Sequence, residues 1–452
     1  MRPVFRRNLF ELIDAFDRFP FHPSGFPICF SPSVFLTLAR GSNPTGLRGE
    51  TRGSQGVFFE RVDRLDEGVR ARGHAGPKGR DTGQEEGASM PMKNVFASRW
   101  GIVLVGAVIG ILAPVLQKLG NPGNMGICVA CMERDMAGAL GLHRAEVVQY
   151  MRPEIIGFVL GSLIAAYLFK EFRPRVGSAP IVRFVLGVFA MIGALVFLGC
   201  PWRAMLRLAG GDGNAIFGLL GLAFGVWIGT LFLKNGYTLG RTQSTYASVG
   251  WILPLIMLGF LVLLFVFPHV PGEPKSGILF YSVKGPGAMH APVAISLAVG
   301  LLVGFLAQRS RFCTMGALRD LILFRHTHLF SGFVSLIVFA FFTNLILGQF
   351  KAGFAGQPVA HTQHLWNFAG MALAGLAFAL AGGCPGRQLF LAGEGDGDAA
   401  VFVLGMIVGA AFSHNFGLAS SPQGIGPHGI AGLVVGFAVC LFIGVTMRKK
   451  MA

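Results

Sequence analysis

Long apolar segments alternate with short polar ones along the chain from residue 100 to its end. Each apolar segment approaches the roughly 20 residues that a helix needs to cross a lipid bilayer. The ten segments are centred on residues 100–116, 151–169, 181–199, 214–233, 249–268, 291–307, 329–349, 366–383, 398–417 and 430–447. This pattern predicts an all-α integral membrane protein with about ten transmembrane helices.

The composition agrees with this prediction and excludes other classes of protein. Of the 452 residues, 53% are apolar and 13% are charged, and the chain holds 42 Phe and 65 Gly. Soluble domains carry about 25% charged residues. High Gly and Phe content is typical of membrane helices that pack closely on small residues and face lipid with aromatic rings. A soluble enzyme, a nucleic-acid-binding protein and a disulfide-rich secreted domain are therefore excluded.

Residues 1–92 differ from the rest of the chain and are predicted to form a disordered head. Much of this segment is rich in Arg, Gly, Asp and Glu and has few large apolar residues, so it lacks the surface needed to fold. An alternative hypothesis is that translation starts at Met90 or Met92. The membrane body then divides into a first repeat, residues 93–275, and a second repeat, residues 276–452.

The formal net charge of +16 lies almost entirely in the membrane body. The head contributes +2 and the remainder +14, with no block of like charge beyond Arg448–Lys450, so binding of nucleic acid is not indicated. Lys and Arg number 16 in the loops on the side of both termini and 9 in the loops on the other side. Because cytoplasmic loops carry the excess of positive charge, both termini are predicted to be cytoplasmic. An anionic substrate is a second reason for a basic body.

The two halves of the membrane body are related by an internal sequence repeat. A cysteine is followed by Arg, Asp and His at offsets of 6, 7 and 15 residues in both halves, and a second cysteine is followed by Asp at an offset of 12. The matched residues are Cys128, Arg134, Asp135, His143, Cys200 and Asp212 in the first half, and Cys313, Arg319, Asp320, His328, Cys384 and Asp396 in the second. Each half contains five spans, an odd number, so the second copy is predicted to be inverted. Inverted repeats are typical of secondary transporters, which bind substrate near the midplane at interrupted helices.

Each half also contains a Cys-Pro-X-Arg sequence directly after an apolar segment: CPWR at 200–203 and CPGR at 384–387. Pro favours the first position of a helix, so each cysteine is predicted to cap a short helix, where free N–H groups and the helix dipole stabilise negative charge. Arg203 and Arg387 add a cation near the same helix ends and are candidates for binding an anion. The alternative is that Cys-Pro only breaks the helix and that the Arg side chain extends to the lipid interface.

Two further short helices are predicted after the other two cysteines, at residues 128–142 and 313–326. Both are too short and too charged to cross the membrane, so a re-entrant placement is predicted. Their Asp residues are expected to form structural ion pairs with the preceding Arg residues, which are also candidates for supporting an anion: Arg134 with Asp135, and Arg319 with Asp320.

Cys128 and Cys131 form a CxxC motif, which is found in dithiol redox sites and in metal sites. No second CxxC or HxxxH motif supplies the remaining ligands of a zinc site. The motif leaves open a membrane thiol oxidoreductase or persulfide relay, in which Cys131 is the redox partner of Cys128. A metal channel with thiolate ligands is a further alternative. Cys29 and Cys440 belong to no motif and are predicted to be inert.

At its motifs the chain resembles the YeeE/YedE sulfur-transport family, and within it the YedE-type branch described as selenium transporters. The resemblance rests on NPGNMGICVACMER at 121–134, FLGCPWR at 197–203, RFCTMGALRD at 311–320 and AGGCPGR at 381–387. It implies an hourglass-shaped helical body in a bacterial-type inner membrane, with short cysteine-bearing helices that enter from both faces. It also implies a small soluble TusA-like thiol carrier as the cytoplasmic partner.

Carried over by residue, the resemblance implies that an anion is relayed along the thiols of Cys128, Cys200, Cys313 and Cys384. Arg203 and Arg387 are not expected throughout the family, so the substrate can differ from thiosulfate. No nucleotide-binding motif such as GxxxxGKS or GxxxxGKT occurs, and no cofactor is predicted. The sequence therefore predicts a transporter, not an enzyme, that imports a small sulfur- or selenium-containing anion.

Overall fold

The structure, a computed structural model, describes Phe96 and residues 98–448. The predicted head at residues 1–92 and Cys29 lie outside the described residues. In chain order the helices are α1 (Arg99–Lys118), α2 (Val129–Ala139), α3 (Pro153–Leu168), α4 (Pro180–Phe197), α5 (Pro201–Ala209), α6 (Asn214–Lys234), α7 (Ala247–Val266), α8 (Val293–Ser310), α9 (Thr314–Phe324), α10 (His328–Ile346), α11 (His364–Ala381), α12 (Pro385–Gly393), α13 (Gly397–Asn415) and α14 (Gly429–Thr446). Four of them, α2, α5, α9 and α12, are short, and they recur at matched places in the two halves.

Within the part of the chain that the structure describes, strands are confined to two short antiparallel pairs in the connections between helices. The antiparallel pairs are β1 (Arg175–Val176) with β2 (Gln243–Ser244), and β3 (Lys275–Ser276) with β4 (Leu279–Phe280). A 3-10 turn covers Pro286–Ala288. The boundary predicted between the repeats falls inside β3 and stays a prediction.

The ten long helices coincide with the ten predicted apolar segments. Among the described residues, nine of them are long and apolar enough to cross a membrane, and α3 is a shorter apolar helix of 16 residues. Large side chains on their outer faces are open to lipid: Phe265 of α7 is 63% exposed and Phe442 of α14 is 67% exposed. The prediction of an all-α multi-pass membrane protein is confirmed.

The long helices pack in pairs that each take one helix from either half. The pairs are α1 with α10, α3 with α8, α4 with α13 and α6 with α11. If each helix is replaced by its counterpart in the other half, for example α1 by α8 and α3 by α10, the same four pairs result. The repeat in the sequence is therefore also a repeat in the packing.

Glycines at these contacts bring the backbones close and reveal the direction of each helix. A side chain at Gly193 of α4 would collide with the backbone of Ala374 in α11, and one at Gly370 would meet Val196. From Gly193 to Val196 the residue number rises along α4, while that of the contacting residue in α11 falls from Ala374 to Gly370. The two helices therefore run in opposite directions. Because α11 is the repeat counterpart of α4, the second copy is inverted at this contact.

Three of the short helices, α2, α5 and α12, lie deep in the fold, whereas α9 is buried only in its first turn, residues 314–317. Every residue of α2 is buried, and α12 is buried except for Arg387 and Leu391. The helix predicted at 128–142 spans Val129–Ala139, and the one predicted at 313–326 spans Thr314–Phe324. Their re-entrant placement in a bilayer stays a prediction.

Candidate functional site

Each repeated cysteine directly precedes a short helix and occupies its N-cap. The break before α5 is sharp because Leu198 adopts a left-handed conformation with a φ of 64°. Pro201 then starts the next helix, with Cys200 extended before it. The break before α12 has the same form, with Gly382 left-handed at a φ of 85° and Pro385 as the first helical residue. A left-handed residue followed by Pro thus sets the chain direction at both breaks.

The other two cysteines cap their helices with their own sulfur atoms. The Cys128 thiol accepts a hydrogen bond of 3.4 Å from the backbone N–H of Cys131. The Cys313 thiol accepts one of 3.2 Å from the backbone N–H of Gly316. Both sulfur atoms therefore lie at the partly positive end of a helix.

The four sulfur atoms form two pairs, one in each half. The Sγ atoms of Cys128 and Cys200 are 3.8 Å apart, and those of Cys313 and Cys384 are also 3.8 Å apart. All four are free thiols and buried; only Cys313 retains measurable exposure, at 8%. We call Cys128 with Cys200 the first pair and Cys313 with Cys384 the second pair.

Arg203 lies beside the first pair and has its donors fully used. A guanidinium carries five N–H groups. They reach the sulfur of Cys131 at 3.6 Å and four backbone carbonyl oxygens, those of Asn124, Leu198, Pro358 and Val359. Arg203 therefore fixes the loop before α2 and the connection before α11 to the first pair.

That connection, residues 351–361, contacts Arg203 beside the first pair, and we call it the covering segment. The N–H of Lys351 donates to the carbonyl of Gly210 at 2.9 Å, and the N–H of Gly353 donates to that of Gly211 at 3.0 Å. Val359 has a φ of 48°, a strained conformation for a β-branched residue. The surrounding contacts hold this residue in a conformation that it would not adopt alone.

Arg387 is the counterpart of Arg203 but has acidic surroundings. Its Nη1 lies 3.3 Å from Glu394, which also pairs with Arg311 at 2.9 Å. Position 394 corresponds to Gly210 in the first half, so this carboxylate has no equivalent beside Arg203. The second pair is thus bordered by mixed charges, and the Arg311 side chain is 45% exposed.

The predicted ion pairs are present, in different settings. Asp135 is fully buried and lies 2.6 Å from Arg134 and 2.7 Å from Arg152. Asp320 lies 2.8 Å from Arg319, where the two side chains are 19% and 34% exposed. The Asp135 cluster joins α2 to α3, and the N–H groups of Arg152 also reach the carbonyls of Pro286 and Met289.

Several buried polar residues were not found by sequence reasoning. Arg152 and Arg207 have no counterpart in the repeat, although Arg207 pairs with Asp212 at 2.6 Å in full burial. Glu133 is fully buried on α2, and neither of its carboxyl oxygens has a hydrogen-bond partner among the described residues. The sequence also did not single out Trp202, whose ring packs against Gly386. The difference between CPWR and CPGR at this position was the signal that could have identified it.

Comparison with known proteins matches parts of this chain to a family and to proteins described by sulfur transport. Residues 309–446 match the family described as sulphur transport. The thiosulfate transporter TsuA of Escherichia coli K12 is 30% identical over 107 residues, which cover 24% of this chain and 30% of the relative. The thiosulfate transporter TsuA of Spirochaeta thermophila is 32% identical over 99 residues, which cover 22% of this chain and 29% of the relative. The matched part is therefore less than a third of the length of either relative. Together with the matched motifs, these findings support the resemblance of the chain to the YeeE/YedE sulfur-transport family.

Proposed function

We propose that the protein imports a small sulfur- or selenium-containing anion, such as thiosulfate or a selenium oxyanion, across a bacterial-type inner membrane. The anion passes from the first cysteine pair to the second through thiol contacts. The observation that carries the proposal is the doubling of one arrangement, two buried thiols 3.8 Å apart at the tips of two short helices. Several weak sites in series suit conduction better than a single tight one.

The chemistry of these pairs suits a soft anion. Thiols donate weak S–H hydrogen bonds and make favourable contacts with polarisable atoms. The N-terminal ends of α2, α5, α9 and α12 supply partial positive charge next to the sulfur atoms, so the anion loses water without losing electrostatic stabilisation. In this proposal Arg134 and Arg319 support the short helices, while Arg203 and Arg387 lie close enough to the thiols to respond to a bound anion.

The direction of transport follows from the predicted topology. With both termini in the cytoplasm, the first pair faces outward and the second pair faces inward. The covering segment is held by Arg203 beside the first pair, whereas the second pair adjoins the half-exposed Arg311. The described conformation is then closed on the outer side. A TusA-like thiol carrier in the cytoplasm is the partner that we propose for receiving the anion.

Uptake by purified protein in liposomes tests this proposal. We expect labelled thiosulfate to accumulate without an electron donor, and selenite to compete if selenium is carried. Cys200→Ala and Cys384→Ala should each abolish uptake because each breaks one thiol pair. Cys440→Ala is the matched control, since Cys440 is a buried free thiol of α14 outside both pairs. Equal uptake by all three variants would remove the relay from the proposal.

A membrane thiol oxidoreductase or persulfide relay is the second candidate. It is favoured by the backbone N–H of Cys131, which donates to the Cys128 sulfur, and by the Arg203 N–H that reaches the Cys131 sulfur. This candidate requires a thiol acceptor for every turnover and loses activity in Cys131→Ala. Transport without an acceptor, retained in Cys131→Ala, excludes it.

A further inference from the structure

The two Cys-Pro-X-Arg sequences differ at their third residue, and the difference is complementary in space. Trp202 occupies this position in the first half and is 1% exposed. Gly386 occupies it in the second half, and a Cβ atom there would lie 3.1 Å from the indole ring of Trp202. One half therefore supplies a large ring and the other supplies the space for it.

The indole ring of Trp202 starts beside the first cysteine pair in the chain and packs against residues that adjoin the second pair. Trp202 follows Cys200 of the first pair by two residues. Its ring packs edge-on against Phe312, which directly precedes Cys313 of the second pair, with 5.5 Å between ring centroids. Its other neighbour, Gly386, follows Cys384 by two residues. A single side chain thus connects the backbone around the first pair with the backbone around both cysteines of the second pair.

Aromatic rings enclose Trp202 on its remaining sides. Phe158 of α3 lies 5.9 Å away and Phe390 of α12 lies 6.1 Å away between ring centroids. Apolar walls of this kind strengthen any hydrogen bond formed within them.

The indole N–H is a buried donor without an acceptor. Nε1 of Trp202 has no hydrogen-bond partner among the described residues. Buried Trp N–H groups usually find a partner, and the indole nitrogen can only donate. An anion that enters this space would satisfy the donor, since the rings around it offer no acceptor of their own.

We propose that Trp202 is the specificity-determining residue at the crossing between the two cysteine pairs. Its N–H donates to an oxygen of the anion while the soft sulfur or selenium end contacts the thiols, and its ring limits the size of anion that crosses. The favoured substrate class is therefore a small anion with one soft end and one oxygen-bearing end. This inference rests on the proposed transport function.

Trp202→Phe removes the N–H and keeps an aromatic ring, which makes it the direct test. In liposome uptake of labelled thiosulfate we expect its half-saturating concentration to rise about tenfold to hundredfold, the range for losing one hydrogen bond to a charged acceptor. Trp227→Phe is the matched control, because Trp227 is 45% exposed on the outer face of α6, and it should behave as the wild type. A wild-type value for Trp202→Phe overturns the inference.

A second variant displaces the ring without altering it. Gly386→Ala places a methyl group against the indole and should raise the half-saturating concentration as well. Gly259→Ala is its control, because no atom lies within 4 Å of a Cβ at that position in α7. An unchanged value in Gly386→Ala counts against the inference.

Fluorescence gives a readout that does not depend on turnover. The chain has 5 Trp, and replacing the other four with Phe leaves Trp202 as the only indole. Its emission should change saturably with thiosulfate, at concentrations near those that half-saturate uptake, and a flat titration overturns the inference even if Trp202→Phe does not purify. Absence of uptake by the wild-type protein would instead refute the proposed function, so the two failures are distinguishable.

Discussion

Replacing Asp135 with Asn should strongly destabilise the protein. The Asp135 carboxylate is fully buried between the guanidinium groups of Arg134 and Arg152, at 2.6 and 2.7 Å. Removing one partner of a buried ion pair costs about 3–5 kcal/mol, because the remaining charge stays buried without compensation. Here two cations would remain, so we expect a loss of unfolding free energy of at least about 3 kcal/mol.

The neighbouring Glu133 provides the matched control. It lies on the same helix, is equally buried and has no hydrogen-bond partner for its carboxyl oxygens among the described residues. A buried carboxyl group without a partner is expected to be neutral, so Glu133→Gln changes little in shape or charge. We expect its effect on stability to stay below about 1 kcal/mol.

Thermal unfolding of the detergent-solubilised protein, followed by size-exclusion chromatography, measures both variants under one condition. Asp135→Asn should lose its monodisperse peak at a clearly lower temperature than the wild type, and Glu133→Gln should not. Equal loss in the two variants would mean that burial of any polar group on α2, and not the charge balance at Asp135, determines stability. A wild-type result for Asp135→Asn would refute the electrostatic reasoning outright.

Three further predictions concern packing, pH and the covering segment. Gly225→Leu should prevent recovery of folded protein because its Cβ would lie 2.0 Å from a backbone oxygen of α11, whereas Gly259→Leu, with nothing within 4 Å, should purify normally by size exclusion. Burial lowers the pKa of His290, so the unfolded chain binds its proton more readily. The stability that depends on neutral His290 is therefore present above about pH 6.5 and is lost as the pH falls below it, and His290→Gln should flatten this part of the melting profile. Arg203→Lys should release the covering segment and speed the reaction of Cys200 with a small maleimide, measured by mass spectrometry; an unchanged rate would show that Arg203 does not hold the segment closed.

The positions of the membrane helices could be predicted because one physical signal determines them. A bilayer requires about 20 apolar residues per helical crossing, and all ten segments met that requirement or approached it. Even α3, the shortest at 16 residues, was found. The caps at Cys200 and Cys384 were predictable for a similar reason, since Pro after Cys fixes where the next helix begins.

The pairing of the thiols could not be predicted in the same way. Matched offsets show that Cys128 and Cys200 belong to one repeat, but they give no distance across 72 residues of chain. Likewise, the carbonyls that surround Arg203 come from Pro358 and Val359, in a connection whose path has no periodic signal. The sequence indicated a cation near the thiols, whereas its actual partners depend on how a distant loop folds.

Each helix pair combines one helix from the first half with one from the second, and this affects how the protein assembles during synthesis. Since α1, α3, α4 and α6 each pack against a helix of the other half, a ribosome that has released only the first five spans leaves their glycine-lined grooves facing lipid. Native assembly must wait until the last spans emerge, and neither half is then a stable product by itself. Two separately translated halves, present in the same membrane, would still hold all the surfaces needed to reconstitute the whole.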